Sequence, residues 1–125
     1  MKIENIKFKA KRLDGKGWIE GTPICINGKP YGIMIGEKES PDIDPSTICQ
    51  FTGEKDMNGD DIYVGDIISN LETKSVIEVV WNDKMKMLDC KFLNGVKCCF
   101  DIPFGTFVAR YHRIVVLRSK FDKEK

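Results

Sequence analysis

Apolar and polar side chains alternate one by one along much of this chain, and Asn-Gly and Asp-Gly pairs interrupt the alternation. A period of two gives an extended strand one apolar and one polar face, whereas a helix would scatter the same pattern around its axis. In Ile6-Lys7-Phe8-Lys9-Ala10-Lys11 the apolar residues share one side and the lysines the other. The pattern returns often enough that a β fold is the only economical reading.

Strands are expected around Trp18-Ile19, then at Ile24–Ile26 and Tyr31–Ile35, the last two flanking Asn27-Gly28-Lys29-Pro30 as a hairpin. Residues 36–45 are polar and hold Pro41 and Pro45, which marks a loop. Beyond it, strands are expected at Ile48–Phe51, Ile62-Tyr63, Ile67-Ile68 and Val76–Trp81. A run from Met85 to Leu93 follows, and its parity change between Met87 and Leu88 suggests a bulge. Asn94-Gly95 leads into Val96–Phe100, Ile102–Gly105 is a connection, and Phe107–Tyr111 and Ile114–Leu117 are the last strands. Ser69-Asn70-Leu71-Glu72 has capping-box spacing, but the Val- and Ile-rich residues behind it lack a helical period, so no helix is assigned.

The expected architecture is one mainly β domain over 1–125, with little helix. Many short strands with tight turns and no long helix favour a small barrel or sandwich, in which an N-terminal β extension and loop (1–45) would precede a barrel-like core (46–118) and a frayed, charged tail (119–125). With 125 residues, 42% hydrophobic and 31% charged, the chain can bury a real core. Lys and Arg number 20 against 19 Asp and Glu, a balance that argues against a bulk polyanion as partner. Cysteines at 25, 49, 90, 98 and 99 are odd in number and irregular in spacing. Without a signal-peptide pattern or an apolar run of about 18 residues, a cytoplasmic protein with reduced thiols and no membrane partner is expected.

The densest pattern is Gln50-Phe51-Thr52-Gly53-Glu54-Lys55-Asp56-Met57-Asn58-Gly59-Asp60-Asp61-Ile62-Tyr63-Val64-Gly65-Asp66-Ile67-Ile68. It resembles the phage-associated YopX family, with its aromatic-Thr-Gly, Lys-Asp-x-Asn-Gly turn, Ile-Tyr and Gly-Asp-Ile corner. Trp18-Ile19-Glu20-Gly21, Ile43-Asp44-Pro45 and Val79-Val80-Trp81 agree with it, while Tyr111-His112-Arg113-Ile114 departs from the family's ending. The resemblance implies a phage or prophage origin and a small SH3-like β-barrel with β additions, and it brings no established activity.

Within the motif, turn chemistry explains each residue. Gly53, Gly59 and Gly65 suit turns that need positive φ, and Asp56 and Asn58 can accept from backbone amides that follow them. Ile62 and Ile67 supply core, Tyr63 a half-buried ring, Thr52 and Asp66 polar support. The same stretch has oxygen ligands at alternating positions, as in a calcium loop. Its glycine comes too early, however, and Ile67 stands where a bidentate Glu belongs. No Cys-x-x-Cys exists for zinc, and His112 is the only histidine. Phosphate loops, dinucleotide fingerprints and nucleophile elbows are missing, so no catalytic residue, metal or cofactor is assigned.

Two lysine groups remain. Lys7, Lys9 and Lys11 share a strand face, and Lys84, Lys86 and Lys91 gather around one hairpin, a candidate nucleic-acid surface if rings lie beside them. Alternating lysines also protect sheet edges from aggregation, which is the simpler account. The favoured expectation is a non-enzymatic interaction or assembly module that associates with itself or with a phage or host protein. A nucleic-acid-binding barrel is the alternative and a cryptic enzyme the third reading.

Overall fold

The computed structural model describes residues 7–27, 29–35, 38–39, 42–94 and 102–122. The chain divides into two compact units, 1–53 and 54–125. Among the described residues the fold is mainly β, built as two antiparallel sheets and not as a closed barrel.

The first unit contains β1 (Phe8–Lys11), β2 (Trp18–Ile26), β3 (Lys29–Ile35), β4 (Lys38–Glu39) and the start of β5 (Cys49–Lys55), in the order β4-β3-β2-β1-β5. Alternation sets its register. Ala10 lies opposite Ile19, and both are buried with Ile33 and Ile43 in a small aliphatic cluster. Gly21 is needed for closeness: a Cβ there would stand 2.1 Å from the Met34 carbonyl oxygen. Asp44 caps the 3-10 turn Pro45–Thr47 by accepting from the Ser46 amide at 3.0 Å. Thr47 Oγ1 then accepts from the Lys11 amide at 2.8 Å, which ties this turn to β1.

The second unit contains β6 (Asp61–Tyr63), β7 (Asp66–Asn70), β8 (Ser75–Asn82), β9 (Met87–Asn94), β10 (Ile102–Pro103), α1 (Phe104–Arg110) and β11 (Ile114–Ser119). β6 follows the end of β5 as its hydrogen-bonded neighbour, and the other strands form a sheet in the order β10-β9-β8-β7-β11. Ile68, Ile77, Val79 and Cys90 line one sheet face and pack with Ile62, Ile114 and the helix residues Phe104 and Phe107.

Several expectations need correction. Phe107–Arg110 belongs to α1, not to a strand. Phe104, Phe107, Val108 and Tyr111 recur at helical spacing, and Pro103 sits where a helix begins, so periodicity outweighed their strand-like composition. The parity change near Met87 is no bulge, because residues 83–86 are the hairpin turn and Met87 and Leu88 stand in unbroken register opposite Asn82 and Trp81. The register shift lies instead between Val76 and Ile77. Trp18 to Ile26 forms one long strand, not two pieces.

Residues 119–122 of the expected tail are described. Ser119 is buried, its amide donates to Asp122 Oδ2 at 3.0 Å, and the Lys120 amide reaches the Gly65 carbonyl at 2.8 Å. No helix starts at residues 69–72, as expected; the stretch ends a strand and enters a turn. The expected strand at 96–100, the Asn94-Gly95 turn, Cys98-Cys99 and residues 123–125 lie outside the described residues.

Candidate functional site

Between β5 and β6 the chain reverses through Asp56-Met57-Asn58-Gly59-Asp60, and the Asp56 side chain organises the reversal. Its carboxylate is only 6% exposed. Oδ1 accepts from the amides of Asn58 and Asp60, both at 2.9 Å. Oδ2 accepts from the amide of Val116 in β11, also at 2.9 Å, and the Met57 amide donates to the Ile114 carbonyl at 3.0 Å. One motif residue therefore holds its own turn and also covers a stretch of the edge of β11. A carboxylate receiving three N–H donors is satisfied without a cation.

The second corner works alike. Asp66, 1% exposed, accepts from the Tyr63 amide at 2.8 Å. Gly65 between them has φ +94°, which strains any L side chain, and its amide donates to the Val79 carbonyl. Gly53 and Gly59 also have positive φ. Ile62 and Ile67 are buried, Tyr63 is fully buried and not half-buried as expected, Thr52 is half-buried in β5, and the Asn58 side chain is exposed.

The lysines separate into two situations. In the first unit the Nζ of Lys7 stands 4.5 Å from the centre of the Phe51 ring, and that of Lys9 stands 4.5 Å from the centre of the Trp18 ring. Lys11 reaches the same indole at 5.5 Å. The expected face exists, but its ammonium groups lie over the chain's own rings. In the second unit Lys84, Lys86 and Lys91 are exposed; Lys91 stands opposite Glu78 in register, and Lys86 Nζ is 3.8 Å from Asp83.

Two features of the second unit escaped sequence reasoning. At the tip of the β8–β9 hairpin Trp81 is 52% exposed and Met85 63% exposed. Trp81 keeps the inward parity of Ile77 and Val79 but extends past the core, and its Nε1 donates to Asp83 at 2.9 Å. Asn82 closes the tip, accepting from the Met85 amide at 3.0 Å and donating to the buried Asp89 at 2.7 Å. The other feature is a cavity of about 140 Å³ whose lining includes Asn70, Thr73, Ser75 and the rings of Phe92, Phe107 and Tyr111. Its signal was Asn70, a polar residue on the inward parity of β7 after Ile68.

A second cavity of about 210 Å³ is lined in part by Glu54, Asp56 and His112. Among its described lining residues no serine, threonine or cysteine stands beside the histidine. The thiols of Cys49 and Cys90 are buried; Cys49 Sγ donates to the Thr47 carbonyl at 3.2 Å. Among the described residues no group of three or more His, Cys, Asp or Glu is placed to hold a metal ion. No described helix is long and apolar enough to cross a membrane.

The family model for the YopX protein matches residues 6–107. The chain belongs to the YopX family. No curated protein matches it. In this YopX-family chain the matched span stops short of β11, yet the motif's Asp56 binds β11. That contact is made to a backbone amide, which every residue but proline can provide, so it places little demand on the side chains of 114–119.

Proposed function

We propose that this YopX-family chain is a non-enzymatic, phage- or prophage-derived interaction module that acts in the cytoplasm by associating with a second copy of itself. The observation that carries the reading is the β8–β9 tip, where Trp81 and Met85 stand exposed on a turn fixed by Asn82 and Asp83. Large exposed aromatic and Met side chains on a rigid support are the usual anchors of protein contacts. The tip is also self-complementary in charge, because Asp83 neighbours Lys84 and Lys86 and a two-fold arrangement sets acid against base. Described sheet edges favour this route over strand pairing: β11 is partly covered by Asp56 and Met57, β4 and β10 have two residues each, and the edge strand β6 has three.

Native mass measurement over a range of concentrations is expected to show a dimer that Trp81→Ser and Met85→Ser each weaken. A monomer at every concentration removes the reading. The nucleic-acid alternative fits less well, since Lys7, Lys9 and Lys11 lie over Phe51 and Trp18. Retention on single-stranded DNA that falls steeply with salt would move the assignment there.

A further inference from the structure

The 140 Å³ cavity in the second unit combines three rings with a buried amide. Asn70 is fully buried, and its Oδ1 accepts from the amides of Glu72 at 3.0 Å and Thr73 at 3.4 Å. Those two donors fix which end of the side-chain amide is oxygen. The nitrogen end is therefore oriented as well, and among the described residues it meets no hydrogen-bond acceptor. A buried N–H without an acceptor has given up its bond to water for nothing in return, which makes it an unusual element to keep in a core.

Beside it, Thr73 Oγ1 and Ser75 Oγ are 2.7 Å apart. One proton lies between the two oxygens, so the pair still has a hydroxyl proton and lone pairs to offer. Phe107 and Tyr111 form one wall, their ring centres 5.4 Å apart and their planes tilted by 56°; Phe92 also lines the space. No lysine, arginine or histidine is among the described lining residues, so a carboxylate or phosphate would lose its water with no cation in return. The volume matches that of an engineered cavity of about 150 Å³ that admits benzene.

We propose that this cavity binds an uncharged, single-ring heterocycle carrying a carbonyl group, of the cyclic-amide class to which the pyrimidine bases belong. The ring packs against Phe92, Phe107 and Tyr111. Its carbonyl accepts from Asn70 Nδ2, and the adjacent ring N–H meets the Thr73–Ser75 hydroxyl pair. Charged relatives of the same size are rejected.

Uracil, benzene and benzoate, each titrated into the full-length protein and followed by the ring-proton and amide NMR signals of the cavity residues, test this. Uracil is expected to shift Asn70, Phe107 and Tyr111 with at least tenfold higher affinity than benzene, and benzoate to leave them unmoved. Asn70→Asp keeps the acceptor for Glu72 and Thr73 and removes the donor, and is expected to weaken uracil binding at least tenfold. Ser75→Ala is expected to weaken it less. Equal binding of benzene and uracil would reduce the feature to an apolar gap, and no response to any probe would leave it a water site; either result overturns the proposal. Should Asn70→Asp fail to fold, the comparison of uracil with benzene on the unaltered chain still decides.

Discussion

In residues 1–53 the described core cluster is four aliphatic side chains, Ala10, Ile19, Ile33 and Ile43. In residues 54–125 it is eight, and two of them are phenylalanines from a helix. The first unit supplements its small cluster with close approach at Gly21, a capped turn at Asp44, and lysine ammonium groups held over Trp18 and Phe51. The second has enough apolar area to hold buried polar groups as well, among them Asp56, Asp66, Asn70 and Asp89. The contrast shows where a site can be built, because an oriented polar group inside a protein needs a surrounding core to offset its lost hydration.

Phe107→Ala probes this contrast most severely. Removing a buried ring costs about 3–5 kcal/mol, and amide exchange should quicken across β7, β8 and β11 while β1–β3 stay protected. Equal loss in both units would show that they unfold together and that the division is only geometric. Asp56→Ala comes next: it removes the acceptor of three amides, with an expected cost of about 2–3 kcal/mol, read by denaturant unfolding and by faster exchange at Val116. Asp56→Asn, which keeps one acceptor oxygen, should lose less. Gly21→Ala attacks the other unit, where displacing the Met34 backbone costs about 1–3 kcal/mol and exchange should rise in β2 and β3 alone.

The smallest effect is electrostatic. The hydrogen bond from Arg12, and then the Lys16 amide, hold the Asp14 carboxyl below its ordinary 3.8. A lowered folded-state pKa contributes stability above the unfolded value and loses it as pH falls through the folded one. Arg12→Ala should therefore raise the Asp14 midpoint toward 3.8 by NMR titration, with no measurable change in stability at neutral pH because the pair is on the surface.

Much of the fold was legible because alternation is a local property. The strand β8, the strand at Ile114 and the turn at Asp56 each follow from a few neighbouring residues. What escaped depended on distance or competition. Phe107 and Val108 favour strands by composition, and their helix follows from spacing set by the core they join. The Asp56–Val116 bond spans 60 residues and has no local sign, since its acceptor meets a backbone amide. Asn70 was the readable exception, a polar residue in an apolar parity, and it passed as part of a false helix cap. Within the motif, Asp56 and Asp66 accept from nearby amides and Ile62 and Ile67 are buried, roles that neighbouring residues suggest, whereas the Asn58 side chain is exposed.

The reach from Asp56 to Val116 also sets an order of assembly during synthesis. The motif turn can close as soon as Asp60 leaves the ribosome, and the β8–β9 hairpin soon after Asn94. The edge held by Asp56 must wait for β11, more than fifty residues later in synthesis. Until then the carboxylate faces water and the sheet lacks β11, so a ribosome stalled in this interval would present a nascent chain with an open β edge, the state most open to capture by chaperones or by neighbouring chains.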